Sequence, residues 1–288
     1  MQRRQFLHSS IAAAVATALP TSQALAAALA AMAEISGDVG AVTGSGAQVT
    51  LEQAAVKELS DALRGRLLLP GFEGYDAARR VLNASIDKHP ALIVQPSGAA
   101  DVMQAVTFAR ERDLLLAVKC GGHSYGGTST CDGGMQIDLS SMRHARVDPV
   151  SKTAYIAGGS LLGELDHEAM SHGLVTTAGT VSHTGVGGLT LGGGFGRLAR
   201  RYGLALDNLQ AADIVTADGQ LRRASASENP DLFWGLRGGG GNFGVVTNFE
   251  FGLHEMQRQV IGGNVIFPLA QLRNLLSMYA DYAHTAPD

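Results

Sequence analysis

Residues 185–209 read GVGGLTLGGGFGRLARRYGLALDNL, and the fold is decided by this glycine-rich stretch. Glycine accounts for 37 of the 288 residues, about 13%, whereas globular proteins average roughly 7%. The glycines follow no three-residue period, which excludes a collagen-like chain. Glycine at this density lets the backbone approach another group closely. We therefore predict a long loop over residues 179–196 that holds a ligand against its main chain.

Two further glycine loops lie beside predicted strands. The first reads CGGHSYGG at 120–127, and the second, Gly238–Gly241, leads into a strand. Consecutive glycines can turn their amides inward and form a nest that suits a phosphate or pyrophosphate. His123, in the middle of the first of these loops, could be a nucleophile, a ligand or a hydrogen-bond donor. Three such loops in one chain indicate a long polyanionic cofactor.

The composition excludes several classes of protein. Hydrophobic residues make up 45% of the chain and charged residues 17%, so most of its length is expected to fold. The 22 basic residues minus the 26 acidic ones give a net charge of −4, which offers nucleic acid no basic surface. Two cysteines exclude a disulfide-stapled small fold and a four-cysteine zinc site, and we expect no metal. Cys120 and Cys131 could pair in an oxidising compartment, but we expect both to be free or buried.

Hydrophobic periodicity and turn residues predict an α+β fold with many short strands. Residues 34–49 are expected to form a flexible lead-in, and Trp234 is expected to pack in the core. Surface positions are expected for His167, His172, Arg197, Arg200 and Arg201. Helices are predicted over 51–64, 97–112, 160–172, a short segment from 230, and 269–283. Strands are predicted over 91–95, 114–119, 135–139, 145–148, 153–157, 209–216, 221–224, 245–251 and 260–267.

Gly194–Ala199 also satisfy the G-x-G-x-x-A fingerprint of dinucleotide-binding Rossmann folds. That fingerprint requires a strand directly before it, whereas more glycine loop precedes it here. Asp213 lies inside a predicted strand rather than at the end of one. The alternative of a nicotinamide-dependent enzyme is therefore not favoured, and it would predict reversible NAD binding without flavin colour.

Four stretches together resemble the FAD-linked oxidases of the vanillyl-alcohol oxidase/PCMH superfamily, in particular the berberine-bridge-enzyme-like branch. They are LIVQPSGAADVMQAVTFAR at 92–110, the CGGHSYGG loop, the stretch at 185–209 and DLFWGLRGGGGNFGVVT at 231–247. The family match runs from about 75 to 256. It implies that residues 50–256 form a PCMH-type FAD-binding domain of two α+β subdomains, with the cofactor between them. Residues 257–288 would begin a substrate-binding domain.

The resemblance also implies which residues bind the cofactor. His123 matches the histidine that bonds covalently to the flavin 8α-methyl group, although a non-covalent phosphate contact remains an alternative. Loop amides within 120–126 and 185–194 would hold the pyrophosphate. The implied FAD-binding residues are Gly121, Gly122, His123, Ser124, Tyr125, Gly126, Thr180, Gly185, Gly187, Gly188, Gly192, Gly193 and Val246.

This chain departs from the family at one informative position. Many members carry a second bond, from a cysteine to flavin C6, within a G-x-C-P-x-V-G pattern. Here residues 179–185 read GTVSHTG, so Val181 occupies the cysteine position and we predict a single covalent bond. Thr184 falls where the family tunes oxygen access, which leaves oxidase and dehydrogenase both open. His183 could be an active-site base or could simply pack.

The first 33 residues are typical of an export signal. Arg3 and Arg4 precede the apolar run Ile11–Leu19, which is far shorter than the roughly 20 residues that span a bilayer. Small residues follow in an A-x-A cleavage pattern, and the paired arginines resemble a twin-arginine signal; an ordinary secretory signal or an uncleaved anchor remains possible. We expect a periplasmic or secreted protein that meets the twin-arginine translocase and has no stable membrane insertion.

These features predict an exported FAD-dependent oxidoreductase. It would oxidise an alcohol or amine carbon of a small molecule by hydride transfer to flavin, with oxygen or another acceptor reoxidising the flavin. Family members continue beyond a chain of this length and draw their catalytic base from the part that follows. We therefore expect a truncated chain and assign no base. The alternative is a flavin-binding module without turnover.

Overall fold

A computed structural model describes residues 35–286, which divide into two compact units. The first unit contains the described residues up to Lys119 together with Ser124–Ser141, and the second contains Cys120–His123 and the described residues from Met142 onward. The predicted export signal at 1–33 lies outside the described residues. Each unit combines helices with strands, which confirms the predicted α+β fold of two subdomains.

A four-stranded sheet forms the centre of the first unit, with the order β3 (Arg66–Leu68), β4 (Leu92–Gln95), β6 (Met135–Asp138) and β5 (Leu116–Lys119). Leu92, Ile93 and Val94 are completely buried, as expected for an inner strand covered on both faces of the sheet. The elements of this unit are β1 (Val39–Val42), β2 (Gln48–Leu51), α1 (Gln53–Ala62), β3 (Arg66–Leu68), α2 (Tyr75–Arg79), β4 (Leu92–Gln95), α3 (Ala99–Glu111), β5 (Leu116–Lys119), β6 (Met135–Asp138) and a 3₁₀ turn (Leu139–Ser141).

The two strands that flank α3 are separated by a third strand. β6 pairs in parallel with both β4 and β5, and Ile137 lies opposite Val94 on one side and Val118 on the other. The predicted strand–helix–strand order is therefore correct, but β6 inserts between its two strands. The glycine loop at 120–127 begins directly after β5.

An antiparallel sheet forms the centre of the second unit, with the order β11 (Leu221–Ser225), β10 (Leu209–Val215), β12 (Val245–Gly252), β8 (Thr153–Ala157) and β7 (Ala145–Asp148). Along β12 the side chains alternate: Phe249 and Phe251 are buried in the core, whereas Asn248 and Glu250 are only partly buried. Its elements are β7 (Ala145–Asp148), β8 (Thr153–Ala157), α4 (Leu162–Ser171), β9 (Leu174–Val175), α5 (Val186–Leu191), α6 (Ala199–Tyr202), β10 (Leu209–Val215), β11 (Leu221–Ser225), α7 (Pro230–Leu236), β12 (Val245–Gly252), β13 (His254–Glu255) and α8 (Leu272–Thr285), with 3₁₀ turns at Ala205–Asn208, Gly240–Phe243 and Leu269–Gln271.

The expected flexible lead-in at 34–49 is wrong. β1 and β2 form a hairpin there, with Val39 opposite Leu51 and Val42 opposite Gln48. The hairpin is anchored because the amide of Val42 donates to the carbonyl of Gly133 at 2.8 Å and its carbonyl accepts from the amide of Leu115 at 2.9 Å. These long-range hydrogen bonds order a stretch whose composition resembles a loop.

Three other expectations are corrected. Residues 260–267 form no strand, because a strand requires a partner and none of the described residues pairs with this segment. The expected long loop at 179–196 contains α5, which packs through the buried Val186 and Thr190. Trp234 is 76% exposed rather than in the core, because Phe233 and Leu236 supply the buried face of α7.

The remaining surface and cysteine predictions are confirmed. His167 and His172 are exposed, and so are all three arginines of the 197–201 cluster. Neither Cys120 nor Cys131 forms a disulfide within the described residues. Within residues 35–286, no helix is both long enough and apolar enough to cross a membrane.

Candidate cofactor site

The main chains of two glycine loops meet at Gly121 and Gly185 in the second unit. A Cβ atom on Gly121 would lie 2.3 Å from the amide nitrogen of Gly185, and one on Gly185 would lie 2.4 Å from that of Gly121. The side chain of Cys120 closes the same space, since its Sγ would lie 2.5 Å from a Cβ on Gly185. Only glycine fits at these two positions, and their contact brings residue 123 beside residues 183 and 184.

The His123 ring lies against His183 and Thr184. Its Nε2 is 2.7 Å from Nδ1 of His183, and the two ring centroids are 4.7 Å apart. Its Nδ1 is 3.3 Å from Oγ1 of Thr184. His123 is half-buried, whereas His183 is exposed. Both nitrogens of the predicted flavin-linking histidine therefore have polar neighbours in the second glycine loop.

Main-chain hydrogen bonds to the start of α4 fix the segment that carries these neighbours. The amide of Leu162 donates to the carbonyl of Thr184 at 2.9 Å, and the amide of Gly163 donates to the carbonyl of Ser182 at 2.8 Å. Both donors belong to the first turn of α4, where amides have no partner within the helix. The helix thus holds His183 and Thr184 in place through their main chain.

The environment of His123 favours its neutral form. Burial lowers the pKa of His123 below its ordinary value, the nearby His183 lowers it further, and together they outweigh a hydrogen bond with the main chain of His183. A neutral imidazole keeps one unprotonated nitrogen with a free lone pair. His123 is therefore present at neutral pH in the form that can act as a nucleophile.

The glycines of the second loop differ in their surroundings. A Cβ on Gly187 would lie 3.2 Å from the carbonyl oxygen of Gly158, so this glycine allows α5 to approach β8. A Cβ on Gly188 would meet nothing within 4 Å, and Gly193 has a φ of +112° that favours glycine. Gly192 is exposed. Cofactor binding by these four glycines stays a prediction, with Gly188 presenting open backbone.

Residues 124–127 form a tight turn in the first unit. The amide of Gly127 donates to the carbonyl of Ser124 at 3.1 Å, and Ser124 Oγ accepts from the amide of Thr128 at 3.0 Å. Tyr125 is 81% exposed, and a Cβ on Gly126 would meet nothing within 4 Å. This turn therefore presents an open aromatic ring and open backbone beside His123 in the sequence.

Of the two other predicted binding residues, one is exposed and one is buried. Two buried threonines that the sequence analysis does not single out lie near the second loop. Thr180 is exposed, whereas Val246 is buried in the core of the antiparallel sheet, so only its main chain could face a ligand. Thr176 and Thr177 are buried just before the second loop, and within residues 35–286 their hydroxyls have no hydrogen-bond partner. Such hydroxyls fit a bound polar group. Nothing in the sequence distinguishes them from core threonines.

The polar groups near the glycine loops are chemically suited to bind a flavin dinucleotide. In the second unit, the open backbone of Gly188, the threonine hydroxyls without a partner among residues 35–286 and a neutral histidine are groups that a diphosphate and a flavin ring would use. The G-x-G-x-x-A stretch at 194–199 follows α5 and irregular backbone rather than a strand, so the structure does not form a Rossmann turn there.

Comparison with known proteins identifies the domain. Residues 90–225 match the family described as FAD binding domain. An FAD-linked oxidoreductase of Dictyostelium discoideum is 39% identical over 229 residues, which cover 79% of this chain and 50% of that protein. The crystal structure of 6-hydroxy-D-nicotine oxidase from Arthrobacter nicotinovorans superposes with a TM-score of 0.73 at 36% identity, covering 77% of this chain and 49% of the oxidase.

Residues 90–225 are an FAD binding domain, and the relatives and structural neighbours of the chain lie in the VAO/PCMH family, including berberine-bridge-enzyme-like and carbohydrate oxidases. Glucooligosaccharide oxidase from Acremonium strictum, a structure whose description names a 6-S-cysteinyl, 8α-N1-histidyl FAD, is 35% identical with a TM-score of 0.65, covering 70% of this chain and 43% of that one. The chain spans about half the length of the curated relatives it matches. Those relatives are named oxidoreductases and oxidases, and the family is enzymatic.

Proposed function

We propose that this chain is the flavin-binding part of an exported FAD-dependent oxidoreductase that holds its cofactor through one covalent bond to His123. Bound FAD would accept a hydride from an alcohol or amine carbon of a small molecule, and oxygen or another acceptor would then take the electrons. The named activities of the relatives support this class of substrate, since they include oxidation of a hydroxynicotine and of glucooligosaccharides.

The observation that carries the proposal is the environment of His123. The side chain is half-buried in the predicted flavin loop, and its lowered pKa keeps it neutral. A hydrogen bond of 2.7 Å between its Nε2 and Nδ1 of His183 fixes its orientation. A neutral, oriented imidazole is the form that covalent attachment requires. The alternative, a non-covalent phosphate contact, is separated from it by whether the flavin stays bound after denaturation.

The identity of residue 181 supports a single covalent bond. A relative is described as carrying both a cysteinyl and a histidyl bond to its flavin. In this chain Val181 stands at the cysteine position, and its side chain is 41% exposed and cannot form a thioether. Cys131 is buried in the first unit, where burial raises its thiol pKa to about 11 and suppresses the reactive thiolate.

The amino-terminal sequence supports export. Arg3, Arg4 and the short apolar run that follows resemble a twin-arginine signal, and this route carries proteins that fold around a cofactor before crossing the membrane. Wild-type chain is expected in the periplasm or the medium, shortened by about 33 residues. R3K/R4K double substitution should retain the full-length chain in the cytoplasm. Export that is unaffected by the double substitution would contradict the twin-arginine route.

Anaerobic reduction of the bound flavin tests the oxidoreductase function directly. The full chain, reconstituted with FAD, would be mixed without oxygen with alcohols, secondary amines and oligosaccharides, and the flavin absorbance followed. Bleaching by one of these classes, reversed when air is admitted, is the expected result. A chain that binds FAD but is bleached only by dithionite would contradict turnover by this part of the protein.

A further inference from the structure

We propose that His183 determines which nitrogen of His123 bonds to the flavin. His183 accepts the Nε2 proton of His123 in a hydrogen bond, and this leaves Nδ1 as the nucleophile. The inference rests on the proposed covalent attachment through His123 and assigns His183 as a positioning residue for that step. It concerns the formation of the bond and does not depend on the later oxidation of a substrate.

The hydrogen bond between the two rings contains a single proton, so only two arrangements are possible. In the first, His123 donates from Nε2 to Nδ1 of His183, and the other nitrogen of His123 keeps its lone pair. In the second, His183 donates from Nδ1, and Nε2 of His123 accepts. A neutral His123 in the second arrangement must then carry its proton on Nδ1, because a neutral imidazole has one proton.

Only the first arrangement is reactive. In the second, one nitrogen of His123 is protonated and the lone pair of the other is occupied by the hydrogen bond, so neither can attack. In the first, Nδ1 carries the lone pair, and its contact with the hydroxyl of Thr184, at 3.3 Å, is long for a hydrogen bond to a ring nitrogen. The geometry thus couples reactivity to one tautomer and to one nitrogen.

The bond-forming step balances with dioxygen as the oxidant. With FAD bound, Nδ1 of His123 would bond to the 8α-methyl carbon as one C–H bond of that methyl breaks; its proton would pass to solvent and its electron pair would remain on the flavin. The new bond would make the His123 ring more acidic, so its Nε2 proton would pass to Nδ1 of His183. Dioxygen would accept the two electrons and two protons and leave as hydrogen peroxide.

Two structural observations support a role for His183 beyond packing. Its side chain is exposed, so the core does not explain its position, and it nevertheless lies at hydrogen-bond distance from His123 across 60 residues of sequence. Its main chain is fixed between Ser182 and Thr184, whose carbonyls accept from the first turn of α4. A ring with a fixed backbone can hold one tautomer of its neighbour.

Covalent incorporation into the apo form of the full chain tests this role. Wild type, His183→Ala, His183→Asn and the control His167→Ala would be incubated with FAD in air. Flavin fluorescence of the denatured protein band reports attachment, flavin absorbance before denaturation reports binding, and NMR of the isolated flavin peptide identifies the bonded nitrogen. His167 serves as the control because it is an exposed histidine of α4 whose hydrogen bond is to Glu168 and not to a residue of the glycine loops.

We expect attachment through Nδ1 in the wild type and an attachment rate about 100-fold lower in H183A, with FAD binding unchanged. H183N, whose amide oxygen can accept the same hydrogen bond but cannot take the proton, should lose only about tenfold and keep Nδ1 attachment. H167A should match the wild type. A packing role for His183 would not produce this ranking or fix the bonded nitrogen.

Four results would overturn the inference. If H183A attaches FAD as fast as the wild type, or if the wild-type bond is to Nε2, His183 does not direct the step, while the proposed function stands. Loss of FAD binding in H183A would make His183 a binding residue instead. A wild-type chain that binds FAD in air without forming a bond would overturn both this inference and the covalent part of the proposed function.

Discussion

Replacement of Gly185 with alanine should separate the two glycine loops. The new Cβ would lie 2.4 Å from the amide nitrogen of Gly121 and 2.5 Å from Sγ of Cys120, whereas ordinary contacts begin at 3.4 Å. One of these neighbours is main chain and cannot rotate away, so the loops must move apart by about 1 Å. Overpacking of this kind costs about 1–3 kcal/mol.

The assay is urea and thermal unfolding of the full chain, followed by circular dichroism. For a protein of this size each kcal/mol shifts Tm by about 2–4 °C, so G185A should lower Tm by about 2–12 °C. It should also slow FAD attachment, because Gly185 adjoins the Thr184 that lies beside His123. The matched control is Gly188→Ala in α5, where a Cβ meets nothing within 4 Å and alanine is favoured by about 0.5–1 kcal/mol.

The comparison between the two alanine variants tests the reasoning. G188A should unfold at the wild-type temperature or slightly above it, and G185A below it. If G185A is as stable as the wild type, the loops do not meet as closely as the distances indicate. If both variants lose stability equally, the effect belongs to glycine in general and not to the contact with Gly121.

Three further predictions concern stability and reactivity. Burial alone would raise the pKa of Asp101, but the hydrogen bonds that its carboxylate accepts from main-chain amides lower it. Its contribution to stability is therefore present at neutral pH and is lost as the pH falls through the pKa of the folded state. D101N should lower the free energy of unfolding by about 1–3 kcal/mol in urea at pH 7 and weaken the dependence of stability on acid pH. Phe249→Ala should cost about 3–5 kcal/mol because Phe249 is completely buried, whereas Trp234→Ala should stay within about 0.5 kcal/mol because Trp234 is exposed; equal losses would contradict these positions. Cys131, with its thiol pKa raised to about 11, should resist iodoacetamide at pH 8 until the chain unfolds, as read by mass spectrometry, and rapid labelling of native protein would contradict its burial.

Sequence analysis predicts best where the signal is local. The two hairpins at 145–157 and 209–225 were predictable because Asp148-Pro149 and Asp218-Gly219 are strong turn residues between alternating strands. The hairpin at 39–51 was missed because its glycines, threonines and alanines resemble a linker, and its order comes from hydrogen bonds to residues 115 and 133. Partners so distant in sequence leave no periodic pattern.

In the candidate site, too, features with a local sequence signal could be predicted and features that depend on long-range contacts could not. His123 could be identified from the resemblance of the CGGHSYGG loop to a family of known chemistry, and the glycine loops could be identified from composition. The contact between His123 and His183 could not be predicted from spacing, since it depends on the backbone approach of Gly121 to Gly185. A binding role for the buried hydroxyls of Thr176 and Thr177 could not be predicted either, because threonine is common in protein cores.

Covalent flavin attachment through His123 is the central claim, and acid precipitation tests it most directly. The full chain would be produced with FAD, precipitated with trichloroacetic acid and washed, and flavin measured in the pellet and the supernatant. For the wild type the yellow colour should remain in the pellet, and for His123→Ala it should move to the supernatant. Wild-type flavin found wholly in the supernatant would contradict the covalent bond, and equal retention by both proteins would show that His123 does not form it.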